Sequence, residues 1–242
     1  MKKFYVSLFI IICFSLFVYY TGSTQRRIEP GTFAVLQTKT NGLIEKPLIS
    51  GEKNWNWQFL LPTNTKLTSF TIEPLTTTQT VSGQLPSGNF YGSQISQNYT
   101  FDYSFTFNIA LTISPDAVVR LIKLNQITDN NSLNNYLETA SKTLSSLATS
   151  YILEKLKINN NFTVESLRKD EILKNVSLYK DFPDVEVYSL SIVQSSIPDL
   201  SLFSKVQNGT FITNDIQSKT QSEAENINQT QKDNDDEKTN SN

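Results

Sequence analysis

Between Tyr99 and Ile113 the chain alternates more regularly than anywhere else: Tyr99, Phe101, Tyr103, Phe105, Phe107, Ile109, Leu111 and Ile113 are separated by Thr100, Asp102, Ser104, Thr106, Asn108, Ala110 and Thr112. A period of two held over that length predicts one long strand with a greasy face and a wet face. The greasy face is read as the side of a sheet that packs under helices, the rival reading being a ligand-binding aromatic wall. Ser114-Pro115-Asp116 then predicts a helix start, Ser114 capping it and Pro115 standing where its missing N–H costs nothing. Val118, Leu121 and Ile122 give that helix its apolar face. A longer helix is predicted over Leu133–Lys157, where Leu133, Tyr136, Leu137, Ala140, Leu144, Leu147, Ala148, Tyr151, Ile152 and Leu156 recur at steps of three and four. A third is predicted over Val164–Tyr179, and after Pro183 the segment Val185–Val193 returns to strand.

Upstream, short extended runs at Thr32–Thr38, Leu43–Ile49, Trp55–Leu61 and Lys66–Glu73 are punctuated by Asn41-Gly42, Pro62 and Pro74. Asn41-Gly42 offers the two positive-φ residues of a type I′ hairpin. Gly83–Asn98 is rich in Gly, Ser, Gln and Asn and reads as an inserted loop. Strands, then helices, then a strand define the α+β class.

The two ends differ from this middle. Phe4–Tyr20 is uncharged and strongly apolar, flanked by Lys2 and Lys3 before it and Arg26 and Arg27 after it. As a helix its 17 residues would reach about 26 Å, at the short end for crossing a bilayer and longer than a usual signal-peptide core. Tyr19 and Tyr20 suit the interfacial aromatic belt. The expectation is a retained single-pass anchor with the lipid bilayer as partner, the N-terminus cytoplasmic and the following domain extracytoplasmic. A cleaved secretory signal stays open as the alternative, because Thr21-Gly22-Ser23 is small enough for a processing site. Ile12 before Cys13 does not suit lipoprotein processing. At the other end, Thr213–Asn242 has only Ile216, Ala224 and Ile227 as larger apolar residues and finishes in KDNDDEKTNSN. It is read as a polar, disordered tail holding at most a short helix near Ser218–Gln231. The expected organisation is therefore an anchor over 1–27, one domain over 28–203 and a tail over 204–242.

Composition narrows the chemistry. The formal net charge is −2 with no basic stripe interleaved with aromatics, so nucleic acid is not expected as a partner. One cysteine, Cys13, excludes an intrachain disulfide and a Cys-built zinc site. The chain has no histidine, which excludes the Ser-His-Asp triad, the Cys-His pair and every His-ligated metal. Carboxylate pairs and Ser-Lys arrangements stay open, but none stands at a diagnostic spacing. No catalytic, cofactor-binding or metal-ligating residue is assigned. Six sequons, starting at Asn98, Asn130, Asn161, Asn175, Asn208 and Asn228, are what a chain this rich in Asn, Ser and Thr yields by chance.

Four stretches together carry a family resemblance. Glu29-Pro30-Gly31-Thr32-Phe33-Ala34-Val35-Leu36, with Asn41-Gly42 after it, resembles the opening strand of the SPFH/Band 7 family, which includes stomatin, prohibitin and flotillin. Ile49-Ser50-Gly51 through Trp57-Gln58-Phe59-Leu60-Leu61-Pro62 resembles its "Pro-Gly, aromatic, Pro" segment, with Ser50 in place of the usual proline. Leu111-Thr112-Ile113-Ser114-Pro115-Asp116-Ala117 resembles the long strand that enters its "Asp-Pro" helix, and Val185–Val193 with Ile197-Pro198 its closing strand. The resemblance spans about residues 28 to 203. It implies an antiparallel-rich curved sheet packed by helices, and a membrane-anchored scaffold or regulator that organises membrane patches or modulates a membrane protease, self-associating and using no cofactor. The family's long Ala/Glu/Lys-rich helix has no counterpart in the polar tail, so the resemblance does not extend to ring assembly. The competing functional class is an exported or anchored ligand-binding module with no scaffold role.

Overall fold

Phe33-Ala34-Val35-Leu36 is apolar at four successive positions, so both of its faces need cover. In the computed structural model, which describes residues 2–23, 28–52, 55–61, 63–96, 99–158, 162–164 and 167–209, this run is the middle of β1 (Thr32–Thr38) and all four side chains are buried. Two short strands, β2 (Gly42–Leu43) and β3 (Leu48–Ile49), pair antiparallel with successive parts of β1. Strand β4 (Thr65–Thr71) pairs antiparallel along its whole length, from Thr32↔Thr71 to Thr38↔Thr65. One core cluster is built on Ile28, Ala34, Leu36, Leu48 and Phe59, with Ile44 and Leu67 at its margin. On the other side Phe33 stacks on Phe70 with ring centroids 5.5 Å apart.

A second, three-stranded sheet has the order β5 (Leu75–Gln84), β6 (Asp102–Ile113), β7 (Val185–Ser196), and both sheets are antiparallel. Helix α1 (Lys2–Gly22) precedes the first sheet; α2 (Gly88–Ser93) lies between β5 and β6 in the chain. After β6 come α3 (Pro115–Lys123), α4 (Asn130–Ile158), α5 (Lys169–Asn175) and α6 (Leu178–Asp181), and α7 (Leu200–Gln207) follows β7. The protein is thus α+β with antiparallel sheets and an apolar N-terminal helix.

These elements form two compact units. The first comprises Met1–Thr80, Thr106–Tyr151 and Glu165–Val193. In it Phe107, Ile109 and Leu111 of β6 are buried, and α4 reaches the sheets through polar contacts: Asn130 Oδ1 accepts from Thr71 N and Oγ1, and the Thr77 and Ser141 hydroxyls lie 2.6 Å apart. The inward side of α4 is built largely from small residues, with Ala140, Ser141, Ser145, Ala148 and Thr149 all buried. Ser145 Oγ and Thr149 Oγ1 donate back to the carbonyls of Lys142 and Ser145, which satisfies their polar atoms within the helix. The second unit comprises Val81–Phe105, Ile152–Val164 and Gln194–Asn242. Its centre is Leu85, Phe101 and Phe203, edged by Tyr91, Tyr99, Tyr103 and Leu153, with Phe101 and Phe203 edge to face at 5.0 Å.

Several expectations are corrected. The hairpin turn has three residues between Thr38 and Gly42, and only Gly42 has positive φ (69°), Asn41 not. Thr38 Oγ1 accepts from Asn41 N and holds this wider loop, so the turn is not type I′. The expected strand over Leu43–Ile49 is split into β2 and β3. Trp55–Leu61 is not a strand: Trp57–Leu60 is a 3-10 turn capped by Asn56 Oδ1, which accepts from Gln58 N, and the adjacent Gln58 and Phe59 are both buried. The expected Gly83–Asn98 loop contains the end of β5 and all of α2. Val176 is extended and divides the third expected helix into α5 and α6. Helix α7 is capped by Asp199 Oδ1, which accepts from Leu202 N. The expectations for Thr213–Asn242, for Arg26 and Arg27, and for the sequons at Asn98, Asn161 and Asn228 fall outside the described residues.

Candidate functional site: where the apolar helix meets the first sheet

Helix α1 is 21 residues long, apolar on every side, and its side chains from Phe4 to Tyr20 are exposed or nearly so. A helix apolar all round needs a greasy surrounding. By length and composition it can cross a membrane or serve as a signal sequence. Cys13 lies exposed on it.

The C-terminal end of α1 does not simply lead into a linker. Gly22 O accepts from Asn56 N at 2.9 Å, and Ser23 forms an antiparallel bridge with Trp55. The Trp55 indole Nε1 donates to Val18 O at 3.4 Å. The last carbonyls of a helix have no partner inside it, and at the edge of a membrane such a group must find one elsewhere. Here a neighbouring segment supplies a partner. Gly22 is buried under the indole: a Cβ at this position would overlap the ring, with even Trp55 Cδ1 only 2.8 Å away. Glycine at 22 is therefore what lets the tryptophan lie across the helix end.

The segment that carries Trp55 is in turn fixed from inside. Gln58 is buried; its Oε1 accepts from Asn64 Nδ2 at 2.5 Å and from Thr40 Oγ1 at 3.4 Å. This ties the 3-10 turn to the β1–β2 hairpin and to the entry of β4. Phe59 beside it enters the core cluster. Trp55, Trp57 and Leu61 are left about half exposed, at 49%, 50% and 45%. Together with Tyr19 and Tyr20, also exposed, they place five large amphipathic or apolar side chains around the helix end. Beside Trp55 a cleft of about 350 Å³ runs along α1, lined by Phe14, Ser15, Val18 and Tyr19.

A second cleft in the same unit, of about 340 Å³, lies between the first sheet and the α3–α4 connection and includes Lys66 and Lys123. Lys123 is engaged by Glu45 at 2.9 Å; the hydrogen bond and the attraction of the charges hold the Glu45 carboxyl below its usual range and raise the Lys123 ammonium. Among the described residues no group of three or more His, Cys, Asp or Glu side chains could hold a metal ion. Phe105, Phe107 and Ile109 of β6, and Phe101 just before it, have no exposed surface, while Tyr103 is half-buried. Asn130 and Asn175, which begin two of the sequons, use their side chains in internal hydrogen bonds.

The sequence signals pointed to Phe4–Tyr20 and did not connect it with Trp55. Two tryptophans on either side of one asparagine were the available clue, but what they meet is 37 positions back in the chain at Val18.

No family model matches the chain. It is similar to an uncharacterized protein of Treponema pallidum (strain Nichols), 22% identical over 212 residues that cover 84% of this chain and 69% of that protein.

Proposed function

We propose that this is a single-pass, membrane-anchored scaffold or regulatory protein of SPFH/Band 7 type, without a catalytic centre, whose soluble part lies outside the cytoplasm. The observation that carries the reading is the Gly22–Trp55 seat. The small residues at Thr21-Gly22-Ser23 that would suit a processing site have a second use, since Gly22 receives the indole and its carbonyl accepts from Asn56. A helix end used in this way favours retention of α1. A membrane segment joined to the domain by backbone hydrogen bonds suits a protein that works by position in the plane of the bilayer. The α+β class and the order of anchor, sheet and helices accord with the family plan. The partners are other copies of the chain or a membrane protein such as a protease, and restriction to a plane raises effective concentration so that modest contacts suffice.

The test has two parts. Mature protein should begin at Met1 and resist carbonate extraction, and an N-terminus near Thr24 would overturn the anchor. Crosslinking in intact membranes followed by mass spectrometry should recover the chain itself or a membrane protein. Recovery of the isolated monomer alone would overturn the scaffold and favour a binding module.

A further inference from the structure

Two polar groups in the lining of the cleft beside Trp55 are already engaged. Ser15 Oγ donates to Ile11 O at 2.9 Å, and Trp55 Nε1 donates to Val18 O. What faces the cleft is ring and aliphatic surface. Phe14 and Val18 follow one another at one turn of α1, as do Ser15 and Tyr19, and Trp55 completes the lining. The lining from Phe14 to Tyr19 covers about 7.5 Å of helix rise, about half the depth of one leaflet's hydrocarbon, about 15 Å. The space, about 350 Å³, is an open groove against the helix and not an enclosed pocket.

We propose that this cleft is a lipid site that seats one acyl chain of a bilayer phospholipid, with Trp55 as its wall at the interface. The proposal rests on the anchor reading above, since α1 must remain in the bilayer. The occupant follows from the setting. The cleft opens from a helix apolar all round, so its surroundings in a bilayer are hydrocarbon, and its mostly ring and aliphatic lining offers water few polar partners. Tryptophan favours the boundary between hydrocarbon and headgroups, where its ring is apolar and its N–H is satisfied. Here that N–H is satisfied by the protein, which leaves the ring for the lipid.

The chain has two tryptophans, so Trp57→Phe leaves Trp55 as the sole indole reporter. The full-length variant is reconstituted in phosphatidylcholine vesicles with and without bromine at mid-chain positions, and flotation is measured on the same samples. Trp55 emission is expected to be blue-shifted and to lose most of its intensity in brominated vesicles, while aqueous iodide quenches it little. Adding Ser15→Phe, which fills the cleft with an apolar ring, is expected to leave flotation unchanged and to reduce the bromine quenching. Protein that floats with vesicles but shows equal emission in both lipids would overturn the lipid site and leave the anchor standing. Quenching unchanged by Ser15→Phe would show contact with bulk bilayer and no seated chain, which also overturns it. Protein that fails to float would overturn the anchor itself.

Discussion

Single atoms decide the junction. The Cβ that Gly22 lacks is the space that Trp55 occupies, so Gly22→Val should lift the indole off α1, red-shift its emission in membranes and break the Asn56–Gly22 hydrogen bond. Unchanged Trp55 emission would mean the ring is held by something else. Two aspartates show the same economy at helix starts. Asp129 is held below the usual carboxyl range by the backbone N–H and then the hydroxyl of Ser132, and Asp199 by the backbone N–H of Leu202 and then Ser201. A depressed folded-state pKa stabilises above the unfolded value, about 3.9 for aspartate, and that contribution is lost as pH falls through the lower folded value. Asp199→Asn keeps an acceptor at the cap and should make the start of α7 insensitive to acid, as read by amide exchange at Leu202. Asp199→Ala should cost about 1 kcal/mol at neutral pH, by the usual value of a lost cap, in urea unfolding.

Whole elements show where sequence pattern suffices. Strand β6 was legible because its period of two is written in aromatic and aliphatic residues, and Phe105, Phe107 and Ile109 are fully buried while Asn108 is exposed. Phe107→Ala should cost roughly 3 to 5 kcal/mol and Thr106→Ala within about 1, from typical core and surface substitutions. Equal, small shifts in urea midpoint would refute that contrast. Strand β5 was not legible, because Thr76, Thr77, Thr78 and Thr80 carry β-branched strand preference under a hydroxyl that reads as polar. Their alternation between half-buried and exposed positions is clear only once β6 lies alongside. Helix α4 was legible from its leucines and tyrosines; the small face opposite the sheet was not read as a close approach. Ala148→Leu should therefore overpack and cost about 1 to 3 kcal/mol in the same assay. The 3-10 turn was not legible because Trp-Asn-Trp-Gln-Phe mimics a strand's alternation, whereas the structure caps the turn locally with Asn56 and buries Gln58 between Asn64 and the more distant Thr40.

At the scale of the molecule, α+β class and an apolar N-terminal helix were open to reading, and the division into two units was not. Elements β5, β6, α4 and β7 each contribute residues to both units, so no change of composition marks a boundary. For assembly, if α1 is the anchor proposed above, deletion of Phe4–Tyr20 should weaken any self-association sharply, because it removes confinement to a plane. Deletion of Thr213–Asn242, which has no apolar seam for a coiled coil, should leave insertion and association intact. Native electrophoresis of mild-detergent extracts compares them. Conversion of large assemblies to monomer by the tail deletion alone would make the tail the assembly element.

The pairings of β1 have a consequence for the order of events during synthesis. Its partners β2, β3 and β4, the cluster from Ile28 to Leu67 and the Gln58 bonds all lie before residue 72, whereas β6 waits for β7 until residue 185. Contacts of short sequence separation form first as a chain leaves the ribosome. The connection between α1 and the first sheet can thus be complete while the rest is still being made. If α1 stays in a bilayer as proposed, the remaining two-thirds of the chain would be added to a platform already in place.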